Sequence, residues 1–219
     1  MTRAARIAVV DHGAGNLVSI RNALELLGAQ VRVATTAHDL DAADAILVPG
    51  VGASAPAMAR LRRQGLAGAI VELVRAGTWY IGICLGLQLL FERSHEDDAR
   101  MLGLLRGDVE RIPGAPTLPH IGWNRLDAKR SHPVLDGLAD GTPAYFVHSY
   151  APVPADDSVV VAETEHGGRF ASLVASERII GFQFHPERSG DDGLRMLRNA
   201  IALVAAQRAS LQPAPEAAG

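Results

Sequence analysis

The sequence has a single cysteine, few aromatic residues and no long apolar run. The one cysteine, Cys84, cannot form an intramolecular disulfide, and a free thiol suits a reducing compartment. Aromatic side chains make up 5% of the residues, too few for a stacking platform for nucleic-acid bases. No stretch approaches the roughly 20 apolar residues of a membrane span, and the first apolar run ends at Asp11, too early for the core of a signal peptide. We therefore predict a cytoplasmic protein that does not contact membranes.

The charge pattern excludes further classes. The net charge is −3, without a basic stripe, whereas proteins that bind nucleic acids usually carry a basic excess. The eight histidines are scattered without paired ligand spacing, so no metal site is predicted. Gly13-Ala14-Gly15-Asn16 lacks the third glycine of a dinucleotide fingerprint, which would fall at Val18. We expect no cofactor.

Short apolar runs in the first part of the chain alternate with helical patterns. Strands are predicted at 7–10, 31–33, 45–48 and 79–81, and helices at 17–27 and 58–74, with a break near Gly65. This alternation is typical of an α/β fold with an open, mostly parallel sheet flanked by helices.

After Phe91 the pattern changes to short runs separated by glycine and proline. These runs, at 108–112, 121–126, 144–147, 158–163, 172–175 and 179–184, predict an antiparallel portion attached to the same sheet. A last helix is predicted at 193–207. We expect a single domain of residues 1–207, followed by a disordered tail at 208–219, where proline and alanine are frequent.

Cys84 lies at a predicted strand-to-helix junction, between Gly82 and Gly86. A nucleophile elbow requires small residues at these two places, because the backbone turns so sharply that larger neighbours would collide. The strain of such a turn, roughly 1–3 kcal/mol, is usually tolerated only at a working site. A lone cysteine is nevertheless often a small buried hydrophobe, so the pattern alone leaves both alternatives open.

A histidine and a carboxylate follow a later apolar strand, as His185-Pro186-Glu187. In an extended backbone, residues two apart point to the same side, so Glu187 could orient the imidazole while its other nitrogen faces a thiol. His185 alone would also fit a structural histidine at a strand end. Both Cys84 and His185 end predicted strands at the edge where open parallel sheets bind ligands, which favours a nucleophile, a base and an orienting group.

The third predicted strand ends in Pro49-Gly50-Val51-Gly52. Glycines there allow a backbone amide to turn towards a reacting carbonyl, and the Leu85 amide at a helix start would be a second oxyanion donor. A plain turn is the alternative.

With these segments, the chain resembles the class I (triad) glutamine amidotransferases. Their signature is a cysteine in Gly-x-Cys-x-Gly-x-Gln and a later His-Pro-Glu, which match residues 82–88 and 185–187. Within that family, the segments 11–17, 49–52, 118–124 and 145–150 resemble the glutaminase subunits of imidazole glycerol phosphate synthases. The resemblance covers nearly the whole chain and implies a flavodoxin-like topology.

The resemblance also implies a function. Glutamine would be hydrolysed to glutamate and ammonia through a cysteinyl thioester. The ammonia would pass to a cyclase subunit, a (β/α)₈ barrel in a heterodimer with this chain, which forms imidazole glycerol phosphate and aminoimidazole carboxamide ribotide in histidine biosynthesis. Cys84 would be the nucleophile, His185 the general base and acid, and Glu187 the orienting carboxylate.

The resemblance assigns further residues to three groups. Gly52 and Leu85 would supply the oxyanion amides; Gly50, Gln88, Glu96, His148 and Ser149 would bind glutamine; Asn16, Trp123, Asn124 and Arg188 would lie at the partner interface.

Some positions depart from the family pattern. His12 and Ala151 stand where the family commonly has tyrosine, Thr78-Trp79 replaces a basic residue and proline, and Arg188 replaces lysine. None of these is a triad residue, so the departures bear on partner docking. From the residues themselves, a different α/β cysteine hydrolase and a non-catalytic binding module also remain open.

Overall fold

The computed structural model describes residues 4–210, with side chains through residue 207. Five strands pair in parallel at its centre: β1 (Arg6–Val10), β2 (Gln30–Ala34), β3 (Ala45–Val48), β4 (Trp79–Ile83) and β14 (Ile179–Phe182). They lie in the order β2-β1-β3-β4-β14. The predicted parallel sheet is confirmed, and its strand order is the flavodoxin-like one.

Antiparallel strands extend this sheet at one edge. β13 (Gly168–Ser176) pairs with β14, β12 (Val160–His166) pairs with β13, and the two-residue β9 (Asp127–Ala128) pairs with β12. The result is an eight-stranded sheet. The predicted antiparallel portion is therefore confirmed for the segments at 158–163 and 172–175.

The predicted segment at 179–184 contains β14 and also joins the central sheet, where it pairs in parallel with β4 and antiparallel with β13. The segments at 108–112, 121–126 and 144–147 form other sheets, and this part of the prediction is wrong. β8 (His120–Arg125) and β10 (Pro143–His148) form a separate pair. A small four-stranded sheet contains β5 (Arg93–Ser94), β6 (Ala99–Arg100), β7 (Gly107–Arg111) and β11 (Tyr150–Pro154). Along β10 every second residue is buried, which is typical of a strand with one covered face, whereas β3 and β4 are buried throughout.

Helices cover both faces of the central sheet. α1 (Leu17–Leu26) and α5 (Gly190–Ser210) pack on one face, and α2 (Ser54–Arg63) and α3 (Leu66–Arg75) on the other. Because alternate strand residues point to opposite faces, Ile7 and Val9 belong to one hydrophobic core while Ala8 and Val10 belong to the other.

Several helix boundaries differ from the prediction; α2 begins at Ser54 and α5 at Gly190, instead of 58 and 193. The break near Gly65 is present, with φ 71° at that residue. α4 contains only Leu85–Gln88, so the apolar run that follows it to Phe91 continues as turns instead of a helix. α5 continues to Ser210, and the rest of the predicted tail lies outside the described residues. Between residues 4 and 210, no helix is both long and apolar enough to cross a membrane.

Candidate active site

The backbone turns sharply at Cys84, between β4 and α4. Its φ of 52° and ψ of −105° lie outside the left-handed helical well, in a region that residues with a side chain rarely occupy. A Cβ at Gly82 would lie 2.6 Å from the carbonyl atoms of Gly86, and a Cβ at Gly86 would overlap the carbonyl oxygen of Val48. Both glycines are therefore sterically required, and the turn has the geometry of the predicted nucleophile elbow.

His185 comes beside Cys84 because the two residues follow the neighbouring strands β14 and β4. Its Nδ1 lies 2.8 Å from Oε1 of Glu187, and both side chains are only 6% exposed. From the sequence we expect an extended backbone to bring Glu187 to the ring, but the contact does not arise in that way. Residues Pro186–Arg188 form a 3₁₀ turn that brings the carboxylate back to the ring.

The backbone of His185 is fixed on both sides. Its N–H donates to the carbonyl of Tyr145 at 2.9 Å, and the hydroxyl of Ser189 donates to its carbonyl at 2.7 Å. The same Ser189 hydroxyl accepts from the N–H of Tyr145. The imidazole therefore projects from a rigid frame that joins β10 to the end of β14.

Burial lowers the pKa of His185, but the neighbouring Cys84 thiol and the Glu187 carboxylate raise it, and the net effect is a pKa above the ordinary value. Among the described residues, Nε2 of His185 and Oε2 of Glu187 are buried without a hydrogen-bond partner. With Nδ1 on Glu187, Nε2 is the nitrogen available to exchange a proton with Cys84.

The thiol also contacts a buried amide that the sequence analysis did not select. Nε2 of Gln183 lies 3.8 Å from Sγ of Cys84, and Gln183 is fully buried. Its Oε1 accepts from Nε2 of Gln88, which also donates to the carbonyl of Tyr150. A polar residue between Phe182 and Phe184, two places before His185, is the sequence signal that could have identified it.

A cavity of about 230 Å³ opens beside Cys84. Its lining includes five other residues predicted for the oxyanion or glutamine sites: Gly52, Gln88, Glu96, His148 and Ser149. Burial, and to a smaller extent Asp97, raise the pKa of Glu96, so a ligand cation would relieve the cost of its charge. Gly50 instead lines a separate cavity of about 420 Å³, together with Asn16, His185, Glu187 and Arg188.

The predicted oxyanion donor Leu85 is occupied in this conformation. Its N–H donates to the carbonyl of Gly50 at 3.2 Å. A carbonyl therefore lies where an oxyanion would have to bind. α4 has only one turn, so the helix contributes little to the electrostatics at this amide.

Comparisons with known proteins agree with this geometry. The profile of the family "Glutamine amidotransferase class-I" matches residues 8–203. The chain is 45% identical over 194 residues to "Imidazole glycerol phosphate synthase subunit HisH" of Dehalococcoides mccartyi, covering 88% of this chain and 95% of the relative. It is 48% identical over 202 residues to the protein of the same name from Xylella fastidiosa, covering 91% and 98%.

The chain belongs to the class I glutamine amidotransferase family. Solved structures agree on the fold. "Structure of PurLQS from Thermotoga maritima" superposes with a TM-score of 0.74 at 22% identity, covering 92% of this chain and all of that chain. "Crystal structure of glutamine amidotransferase" superposes with a TM-score of 0.72 at 22% identity, covering 91% and 98%.

Two hydrogen-bonded histidines, His148 and His120, extend inward from the cavity beside Cys84. Nδ1 of His148 lies 2.9 Å from the carbonyl of Tyr150, and its Nε2 lies 3.2 Å from Nδ1 of His120. Nε2 of His120 lies 3.2 Å from Nδ2 of Asn124. Because the Tyr150 carbonyl accepts, both imidazoles carry their proton on Nδ1. Burial lowers the pKa of His120 to about 4 and, with the adjacent imidazoles, that of His148 to about 3.

The residues predicted for the partner interface do not behave alike. Trp123 is 58% exposed, and its ring lies 6.1 Å from that of Tyr145, over which the Arg188 guanidinium is placed 4.4 Å from the centroid. Asn16 is exposed and caps α1 by accepting from the Ser19 N–H. Asn124 is half-buried and donates to the Glu165 carbonyl as well as to His120. Its amide nitrogen is therefore used in hydrogen bonds within the chain.

Proposed function

We propose that this chain hydrolyses glutamine to glutamate and ammonia and supplies the ammonia to a cyclase subunit in histidine biosynthesis. Family membership and relatives named as HisH, 44–48% identical over about nine-tenths of the chain, support this function. The observation that carries the chemistry is the thiol of Cys84, on a strained backbone turn, beside a histidine that the buried carboxylate of Glu187 orients.

In this mechanism, Sγ of Cys84 gives its proton to Nε2 of His185, and the thiolate attacks the side-chain amide carbon of glutamine. His185 then donates the proton to the departing nitrogen, so ammonia leaves and a glutamyl thioester remains. Water attacks the thioester with His185 as general base, which releases glutamate and restores the thiol. Glu187 keeps the proton-transferring nitrogen directed at the reaction and stabilises the imidazolium.

The same proposal predicts that the chain alone has little activity. The Gly50 carbonyl accepts the hydrogen bond of the Leu85 N–H, so this N–H is not free to bind an oxyanion. The carbonyl and amide of one trans peptide point in opposite directions, so a half-turn of the peptide between Gly50 and Val51 would replace that carbonyl with the Val51 N–H. The Gly52 amide, predicted as a donor from the sequence, is the next one along the strand.

We assign the residues lining the small cavity to glutamine, with Gln88, His148 and Ser149 around its polar groups and Glu96 for its ammonium group. The cluster of exposed Trp123 and Arg188 around the half-buried Tyr145, next to the triad, is the proposed docking face for a (β/α)₈-barrel cyclase subunit in a heterodimer. A cytoplasmic location, which suits the free thiol of Cys84, completes the proposal.

Glutamate release tests the function. The chain is assayed alone and with the cyclase subunit and its substrate, and Cys84→Ala is assayed in parallel. The proposal expects release that rises with the complete complex and is lost in the variant. Full release by Cys84→Ala would overturn the chemistry, and equal wild-type rates with and without the partner would overturn the proposed resting state.

A further inference from the structure

The loop between β1 and α1, residues 11–16, packs directly on the strand end formed by Pro49-Gly50-Val51-Gly52. Nε2 of His12 lies 2.6 Å from the carbonyl oxygen of Pro49. Gly15 lies against the backbone of Gly50, because a Cβ at Gly15 would be 3.0 Å from the Gly50 Cα. Residues 11–16, which do not match the dinucleotide fingerprint, thus support residues 49–52, which we call the oxyanion strand.

The protonation of the His12 ring follows from its partners. The Pro49 carbonyl can only accept, so Nε2 of His12 carries the proton and donates. Nδ1 is buried without a partner among the described residues, and His12 is only 3% exposed. Within the described part of the chain, the Pro49 carbonyl is therefore the one hydrogen-bond partner of this ring.

This hydrogen bond belongs to the peptide that precedes the one facing the oxyanion site. His12 holds the peptide between Pro49 and Gly50, whereas the Leu85 amide binds the carbonyl of the next peptide, between Gly50 and Val51. The ring also fills the space beside Gly50, since a Cβ there would lie 2.5 Å from Nε2 of His12. The first peptide can stay in place while the second rotates.

We propose that His12 is a positioning residue that fixes the Pro49–Gly50 peptide, so that rotation is confined to the Gly50–Val51 peptide and its N–H arrives on the oxyanion. This inference rests on the proposed glutaminase function. Without the hydrogen bond, the whole strand end shifts instead of one peptide, and the donor misses the oxyanion. The loss falls on the transition state, because the neutral substrate amide needs this donor less than the oxyanion does.

The experiment uses the complex with the cyclase subunit and its ligand. His12→Phe keeps a ring without a donor, and His12→Gln keeps a donor. His38→Gln is the matched control, because the exposed His38 pairs with Asp41 on the surface, outside residues 49–52. For His12→Phe we expect kcat for glutamine hydrolysis to fall about 10- to 100-fold with KM within about twofold, as for a misplaced oxyanion donor. His12→Gln retains most of the wild-type kcat.

Alkylation of Cys84 by iodoacetamide provides a second readout, because it needs the thiol and not an oxyanion donor. Its rate in His12→Phe stays at the wild-type value if the ring acts only through the strand. If His12→Phe does not fold, His12→Met, which has no donor, is compared with His12→Gln in the same assays.

Two results would overturn the inference: a kcat unchanged in the donor-free variant, or a loss confined to KM. A fall in kcat that parallels the alkylation rate would also overturn it, since the effect would then lie on the thiol. If the wild-type complex releases no glutamate, the proposed function fails as well. If the wild-type complex is active and His12→Phe is equally active, only the proposed role of His12 is refuted.

Discussion

The backbone strain at Cys84 predicts that Cys84→Gly is nearly as stable as Cys84→Ala, or more stable. Cys84→Ala keeps a Cβ at φ 52° and ψ −105°, whereas Cys84→Gly removes it. Elsewhere, replacing a buried alanine with glycine lowers the free energy of unfolding through two losses. Unfolded glycine has more conformational freedom, worth about 0.4–1 kcal/mol, and one buried methyl group is worth about 0.8 kcal/mol.

At Cys84 a gain opposes these losses. Glycine relieves strain of roughly 1–3 kcal/mol for a side chain held in a sparsely populated conformation. The gain and the losses are of similar size. The free energy of unfolding of Cys84→Gly should therefore be at most about 1 kcal/mol below that of Cys84→Ala, or should exceed it. Ala57→Gly is the control, because Ala57 is 5% exposed within α2, and this change should cost about 1.5–2 kcal/mol.

Urea unfolding followed by circular dichroism measures these differences, since the midpoint shifts with stability while the slope stays constant. Both Cys84 variants lack the proposed nucleophile, so the comparison uses stability alone. If Cys84→Gly loses as much stability relative to Cys84→Ala as Ala57→Gly loses relative to the wild type, the elbow stores no strain and the argument fails.

Three further predictions concern the triad, the oxyanion strand and acid stability. Glu187→Gln should lower kcat about 10²–10⁴-fold with little change in KM, because the imidazolium loses its counter-charge; a steady-state rate within tenfold of wild type would contradict this. Gly50→Ala should abolish partner-stimulated glutamate release, because its Cβ would lie 2.5 Å from His12, while Gly68→Ala, in open space on α3, should leave release unchanged. His148 has a pKa lowered from 6.5 to about 3, so the unfolded chain binds its proton first, and the free energy of unfolding falls as pH drops below 6.5. The fall attributable to His148 approaches about 1.4 kcal/mol per pH unit. The free energy of unfolding, measured by urea unfolding at several pH values, should therefore depend less on pH in His148→Gln than in the wild type, and an identical pH dependence would refute the prediction.

The parallel half of the fold could be predicted because its strands are buried on both faces and carry short, continuous apolar runs. The run at 45–48 gives the bounds of β3 directly. The same logic brings Cys84 and His185 together, since both end neighbouring parallel strands. The glycines at 82 and 86 indicated the elbow for the steric reason that the structure gives.

Part of the second half could not be assigned to its sheet from the sequence. Strands with one covered face, such as β10, show the same alternation whether they join the central sheet or pair elsewhere. Contacts between distant segments leave little local pattern, so the contact of His12 with the Pro49 carbonyl was not predicted. For Gln183 beside the thiol, the only local signal was its polar character between two phenylalanines. The hydrogen bond between Leu85 and Gly50 depends on the orientation of one peptide, which residue identity does not specify.

Covalent capture of the nucleophile tests the central claim most directly. The complex with the cyclase subunit and its ligand is incubated with a diazoketone analogue of glutamine, and the labelled site is mapped by mass spectrometry of peptides. The account predicts one label per chain, on Cys84, with glutamine protecting against it and no label in Cys84→Ala. A label on another residue, or an unlabelled Cys84 in a complex that still releases glutamate, would contradict it.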